Sequence, residues 1–512
     1  MRNLVLVLAA TFIYAPVSMQ AQDVAEAFNI AHTSPQGTAR SIGFGGALGS
    51  VGGDFSSISV NPAGLGVYRK GELSFTPSFK VNSSTSSYLG STAADNNVRV
   101  NINNFSIVFT DAPKGKRYDR RDWKAISFAL GMNRMADFNR DYNYTGVNRT
   151  SSATLAFVSN ANIDSSNRYY AGTLAYTGWE SYLINGYANN YTTAVPYKNG
   201  IQQLNSVKER GGVNEYVISL GGNYKEKLLL GMVVGIPGVN YERTSNYSES
   251  VLPNAPANPS NFQSFTYNNN ISVSGVGINL KLGAIYKLTE FLRLGAAFHS
   301  PTAYSITSTN DYGISSAVDG RNINFSTNND LPQNQFSYSF ITPVKGVVSA
   351  TFIIKKLGFI TADYEFVDYS TMKYKFSEGM NTATGYSYQY EAAQVNKDIK
   401  NTYQSASNIR LGTEIKLTKF FMLRAGAGYY SNPYINTSWG SDRIDFSGGV
   451  GFRGSTFFAD FGLVNSRFKA SEMPYNRIDY KYVLPAQAPA ALPVAKLNYI
   501  TNNIAFTVGA KF

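Results

Sequence analysis

The sequence has no cysteine and only two histidines, His32 and His299, among its 512 residues. Without thiols there is no disulfide scaffold, no Cys-ligated zinc, no iron–sulfur cluster and no thiol nucleophile. Two histidines exclude a His-rich metal site, so neither a metal nor a cofactor is expected. Charge is also scarce: Asp, Glu, Lys and Arg make up 15% of the chain, where soluble domains carry about 25%. A chain this long with so little charge cannot solvate several cytosolic domains. Beyond the N-terminus no apolar run approaches the roughly 20 residues of a transmembrane helix, which excludes a helical membrane protein. Heptads and a Gly-X-Y period are missing too, and with them coiled coil and collagen.

What remains is aromatic and neutral-polar. With 36 Tyr and 32 Phe the chain is too aromatic for disorder. Its polarity comes from Asn, Ser, Thr, Tyr and Gly, which suit strands and loops better than long helices. The formal net charge of +12 comes from Lys and Arg scattered singly, without a basic helix or nucleic-acid motif, so no nucleic-acid partner is expected. Basic loops facing outer-membrane lipid and the phosphates of lipopolysaccharide account for it better.

Met1-Arg2-Asn3, an apolar run from Leu4 to Val17 and Ser18-Met19-Gln20-Ala21 read as a secretory signal peptide over residues 1–21, with the mature chain starting at Gln22. A secreted soluble protein and an outer-membrane barrel remain.

Alternation decides between them. Ile504, Phe506, Val508, Ala510 and Phe512 alternate with Ala505, Thr507, Gly509 and Lys511, one face apolar and the other small or polar. Phe421 to Tyr429, Ile409 to Leu417 and Leu280 to Tyr286 repeat the pattern. Such segments lie near 70–81, 98–110, 123–137, 213–224, 227–243, 271–287, 291–305, 334–354, 357–373, 405–417, 420–432, 441–453, 455–469 and 500–512, about fourteen in all. Tight connections at Lys225-Glu226, Leu288-Thr289-Glu290, Lys355-Lys356, Thr418-Lys419 and Gly454 alternate with long polar ones near 138–212, 244–270, 306–333, 374–404 and 470–499. An all-β, transmembrane antiparallel β-barrel in the outer membrane is expected. Two connections fit less well, 111–122 being long for a periplasmic turn and 433–440 short for an outer loop. In the longest loop Trp179, Tyr182, Leu183, Gly186 and Tyr187 have helical spacing, suggesting a lid or a self-packed surface loop. Leu484 to Pro493 reads as extended.

Residues 22–69 do not alternate. They hold glycines at 43, 45, 46, 49, 52 and 53 and a turn-favouring Asn61-Pro62, without the lysine ending of a phosphate loop or a dinucleotide fingerprint. This stretch resembles the FadL/TodX-type outer-membrane transporters of long-chain fatty acids and other hydrophobic compounds. The resemblance lies in Ala39-Arg40-Ser41, Gly43-Phe44-Gly45-Gly46-Ala47, Asp54-Phe55-Ser56-Ser57 and Asn61-Pro62-Ala63-Gly64-Leu65, leading into Glu72-Leu73-Ser74-Phe75. It implies a hatch over 22–69 plugging a fourteen-stranded barrel over 70–512, with Gly43, Phe44, Gly45, Gly46, Asn61, Pro62 and Ala63 as hatch and gating residues. It also implies a monomer that passively imports a hydrophobic small-molecule ligand and releases it sideways through the wall. The strand closing on Phe512 resembles the signal read by the barrel assembly machinery. A wall kink would supply the lateral opening, and Gly131 is one candidate position.

Lys281, Arg293, Arg410, Glu414, Arg424 and Asp445 fall on inward faces. They either meet a ligand carboxylate or tie the hatch to the wall, and the polar lumen of barrels favours the second. His299 also faces inward; as a general base it would need a nucleophile and an orienting acid, and no motif supplies them, so no enzyme is expected. A surface adhesion or structural barrel acting through its loops is the alternative, with haem uptake, lipid hydrolysis and a general porin as further rivals.

Overall fold

The computed structural model describes residues 20–34, 36–163, 165–169, 173–326, 334–379, 387–475, 483 and 492–512. The signal peptide before residue 20 and most of the Pro-rich stretch at 484–491 lie outside the described residues.

Fourteen antiparallel strands form a closed wall. They are β1 (Glu72–Tyr88), β2 (Ser91–Asp111), β3 (Trp123–Asp137, continued by Arg140–Asn148), β4 (Ile201–Tyr224), β5 (Leu228–Val251), β6 (Ser264–Lys287) and β7 (Leu292–His299, continued by Ala303–Val318). Then follow β8 (Asn334–Ile341, continued by Lys345–Ile354), β9 (Gly358–Asp368, continued by Lys373–Phe376), β10 (Ser405–Lys416), β11 (Phe421–Tyr430), β12 (Arg443–Arg453), β13 (Phe457–Glu472) and β14 (Ala495–Lys511). The last strand returns to the first through Leu73↔Ala510 and Phe75↔Val508. Pairing on both sides over most of the wall gives the backbone amides in the lipid their partners, the condition for spanning a membrane with strands. The alternating segments of the sequence are these fourteen strands.

Their outward faces carry Phe75, Phe105, Leu130, Ile218, Leu411 and Phe461, each a third to a half exposed. An apolar belt of this extent is a lipid face. The apolar belt on the closed fourteen-stranded wall places the chain in the outer membrane; none of the described helices is long and apolar enough to cross a membrane.

The strands are longer than the alternation indicates. β1 and β2 run past residues 82–97 to a turn at Leu89-Gly90, where both residues have positive φ, 46° and 84°, as a tight hairpin turn requires. Beyond the membrane both faces of these strands are mostly Ser, Thr and Asn, with Ala93, Ala94 and Asp95 among them, so the period-two signal disappears while the pairing continues. The connection at 111–122 is on the short-turn side and carries α3 (Lys116–Arg120).

Beyond the membrane, α4 (Thr154–Ile163) and α5 (Leu174–Glu180) pack with the extended ends of β5, β6 and β7 around Leu155, Val158, Leu183, Tyr191, Phe262 and Ile314. The helix suggested by Trp179 to Tyr187 ends at Glu180. Tyr182 has φ +57°, and Ile184-Asn185 pairs with Thr192-Thr193 instead.

Candidate functional site

Residues 36–69 cross the lumen at the short-turn end in short helical pieces, each started by a small polar side chain. α2 (Ala39–Gly43) is capped by Thr38, whose Oγ1 accepts from the Ser41 amide at 3.2 Å and donates to Asp54 Oδ2 at 2.7 Å. Asp54 caps the turn Phe55–Ser59, its Oδ1 accepting from the Ser56 amide at 2.8 Å. Asn61 caps Pro62–Val67 in the same way, through the Ala63 amide at 3.1 Å, with Pro62 at the position where no N–H is needed. Gly45 and Gly46 turn the chain back with φ of +74° and +70°, a region that admits glycine without strain.

The other end of the Asn61 amide joins hatch to wall. Its Nδ2 donates to Gly49 O at 2.7 Å and reaches the carbonyls of Ala284 on β6 at 3.1 Å and Ala296 on β7 at 3.3 Å. Wall glycines make room for this. A Cβ on Gly283 would lie 1.9 Å from Asn61 Oδ1, on Gly231 2.2 Å from Pro62 O, on Gly412 2.2 Å from Phe44 O and on Gly426 2.4 Å from Gly45 N. The hatch therefore rests against bare backbone on several sides. Gly131 belongs to this set and not to a kink: its absent side chain admits Phe55, and it is paired on both sides, to Ser106 and to Val217.

Charge pairs complete the seat. Glu414 takes Arg40 of the hatch at 2.9 and 3.2 Å and Arg424 at 2.7 Å, and Arg424 also meets Asp460 at 2.7 Å. Asp363 accepts the Gly49 amide at 3.0 Å. Arg410 lies 3.3 Å from Glu365 and 3.8 Å from Asp363. Arg293 donates to Val51 O at 3.3 Å, and the His299 Nε2 meets Val60 O at 2.9 Å. Lys281 pairs with Glu215, and Asp445 with Arg443 at 3.2 Å. Most of the inward charges thus hold the hatch or each other. The alternation also puts Asp363, Glu365 and Asp460 on inward faces, a signal that would have added them to the site.

Above the hatch α1 (Gln20–Ala31) stands in the lumen. Val24, Ala27, Ile30 and Ala31 are buried among Tyr304, Tyr338, Phe340, Tyr374 and Tyr403. His32 stacks on Phe28 with centroids 5.0 Å apart, and its Nδ1 meets the Tyr369 hydroxyl at 3.1 Å. Burial, and then the Arg443 and Lys345 cations, hold His32 down at about 3. The ring is neutral and enclosed, with its Nε2 3.4 Å from Arg443 Nη1. Below α1 a cavity of about 50 Å³ is bounded by Ile30, Thr33, Lys281, His299 and Lys345, room for ordered water rather than a drug-sized ligand.

The wall opens at β3. Its pairing with β2 stops at Asn104↔Asn133, although β2 continues beside β1 to Ser91↔Tyr88. Past Phe138 the strand swings inward: the carbonyls of Asn139 and Asp141 accept from Asn82 Nδ2 at 2.6 Å and Ser84 Oγ at 2.8 Å on β1. Asp137 fixes the bend by taking Lys80 at 2.8 Å, Arg134 at 2.9 Å and Asn101 at 2.9 Å. Among the described residues β2 has no second strand partner from 91 to 103, and its Val98, Val100 and Ile102 face outward there, 61%, 67% and 49% exposed.

No family profile matches the chain, and no curated protein matches it. Among solved structures it is similar to a FadL homologue of Pseudomonas aeruginosa, at 13% identity over 94% of this chain and 100% of that one, with a TM-score of 0.55. It is also similar to a TodX monoaromatic hydrocarbon channel variant, at 13% identity over 93% and 98% of the two chains, with a TM-score of 0.51. The chain has the fold of the FadL/TodX-type barrels: fourteen strands around an N-terminal segment that fills the lumen.

Proposed function

We propose that the protein passively imports hydrophobic small molecules across the outer membrane, long-chain fatty acids being the leading class. The observation that carries this reading is the pairing of a seated hatch with a one-sided break in the wall. Arg40, Gly49 and Asn61 fasten the lower lumen, while β3 leaves β2 unpaired on one side between residues 91 and 103, with Val98, Val100 and Ile102 at the lipid end of that gap. A water-filled pore would offer an apolar solute nothing, whereas a blocked lumen with a side exit leads it from lumen to lipid. The solved relatives, a FadL homologue and a monoaromatic hydrocarbon channel, accord with cargo of this kind. Gly43, Phe44, Gly45, Gly46, Asn61, Pro62 and Ala63 would then form the moving hatch, and the protein would act as a monomer. Saturable binding in proteoliposomes, measured for labelled palmitate and for toluene, tests the class. Binding of neither would contradict the reading.

A further inference from the structure

The lipid-facing side of β13 and β14 changes character toward the long-loop end. Along β13, Phe461 and Leu463 face outward, and the next outward residues are Asn465, Arg467 and Lys469. On β14 the outward row runs from Phe506 and Ile504 through Asn502, Ile500 and Asn498 to Lys496. Arg467 stands between Ile444 of β12 and Ile500 of β14, which are 44% and 42% exposed. A charge held deep in hydrocarbon is costly, so a guanidinium between two lipid-facing isoleucines marks the upper edge of the apolar belt. Lys469 and Lys496 follow just above it. Lys469 lies opposite Asn498 and Lys496 opposite Ser471, which makes the two lysines diagonal neighbours on one face, on the order of 7 Å apart.

These three exposed cations are left without a counter-charge. The inward cations Lys281, Arg410 and Arg424 each meet a carboxylate. Arg467, Lys469 and Lys496 have none within ion-pair distance among the described residues. The nearby acids are engaged elsewhere. Glu472 turns inward to Arg243 at 2.8 Å, and Asp442 accepts from the Tyr429 hydroxyl at 2.9 Å and the Asn432 amide at 2.8 Å. The frame beneath them is firm: the Lys469 amide donates to Ser441 Oγ at 2.9 Å, and its carbonyl accepts from the Ser441 amide at 3.1 Å. β1 adds neutral hydroxyls to the same face, with Thr85 opposite Asn498 and Ser87 opposite Lys496. Like charges gathered on one sheet face repel, and an anion of matching height relieves them.

We propose that this strand face is a binding site for lipopolysaccharide. The phosphates of its head settle on Arg467, Lys469 and Lys496 through charge-assisted hydrogen bonds. Its sugar hydroxyls meet Asn498 and Thr85, and its acyl chains lie along the apolar rows of β13 and β14 below Arg467. Three cations suit a head with several phosphates better than the single phosphodiester of an ordinary phospholipid. The site lies on the outside of the wall and is independent of what the lumen carries.

Native mass spectrometry of the full chain in detergent, titrated with deep-rough lipopolysaccharide, tests the proposal. Arg467→Gln/Lys469→Gln/Lys496→Gln should bind at least about tenfold more weakly than the parent protein. Lys208→Gln/Lys373→Gln/Lys375→Gln removes the same charge from exposed positions on β4 and β9 and should bind as the parent does. Enzymatically dephosphorylated lipopolysaccharide should lose affinity for the parent protein to the same degree, and phosphatidylglycerol should not compete. Heat modifiability on gels checks each barrel. Should the first triple variant fail to fold, Lys469→Gln/Lys496→Gln, which leaves the belt edge intact, should still show most of the loss. Equal weakening in both triple variants would mean net charge alone and overturns the site. Undiminished binding of the dephosphorylated glycolipid, equal competition by phosphatidylglycerol, or no binding by the parent protein each overturns it as well.

Discussion

Gly283 and Asn61 are complementary: a Cβ on the glycine would lie 1.9 Å from the amide oxygen that caps the Asn-Pro-Ala turn. Gly283→Ala should therefore force Asn61 off its cap and off the carbonyls of Ala284 and Ala296. Gly346→Ala, where a Cβ meets nothing within 4 Å, is the matched control. In planar bilayers the first variant should pass ions more readily than the parent protein and the second should not, with both barrels remaining heat-modifiable on gels.

Glu414 stands between Arg40 of the hatch and Arg424 of the wall, both largely buried. Glu414→Gln removes the charge that both guanidiniums share. Losing one partner of a buried pair costs about 3–5 kcal/mol, and here the loss should fall on hatch docking. Hydrogen exchange over residues 38–53 should rise, while exchange in β4 and β5 stays slow.

Glu26 is buried against the Tyr338 hydroxyl, and burial pushes its carboxyl from 4.5 up to about 7. The docked helix therefore holds a proton that the undocked one releases between those values. Docking is favoured at low pH and weakens as pH rises from about 4.5 through about 7, by up to ~3 kcal/mol. After correction for intrinsic rates, amides of Val24–Ala31 should exchange faster at pH 8 than at pH 5. Glu26→Gln should flatten that difference.

The bend in β3 offers a reversible block. Asn101 Nδ2 and Asp137 Oδ2 meet at 2.9 Å across the mouth of the wall gap. In Asn101→Cys/Asp137→Cys, a short disulfide-containing thiol cross-linker should abolish uptake, and a reductant should restore it. Uptake that continues through the cross-linked wall would place the exit elsewhere.

The strands were legible because lipid demands an apolar outer face, and it leaves Leu423 and Phe506 alternating with Arg424 and Thr507. The parts of β1 and β2 above the membrane were not, because Asn82 to Ser87 are polar on both faces and pair through backbone alone. The position of the hatch could be read from residues 39–65, but its seat could not. Gly283, Gly412 and Gly426 look like ordinary small inward residues until Asn61, Phe44 and Gly45 are placed against them. The inward side of the strand charges was also legible, since alternation fixes it. Their partners were not, because Arg40 and Glu414 are 374 residues apart. α1 did leave a trace: Val24, Ala27, Phe28 and Ala31 follow helical spacing, but the stretch is short and lies beside the expected cleavage point. The bend in β3 follows from a change of partner at Asn133 rather than from a glycine, so no residue type announces it.

The most direct test of the central claim is uptake of a labelled long-chain fatty acid at limiting concentration by cells without the protein, with it, and with its Asn61→Ala variant. The account predicts uptake that requires the protein and changes with the variant, because Asn61 holds the hatch to β6 and β7. Equal uptake in all three strains would contradict it.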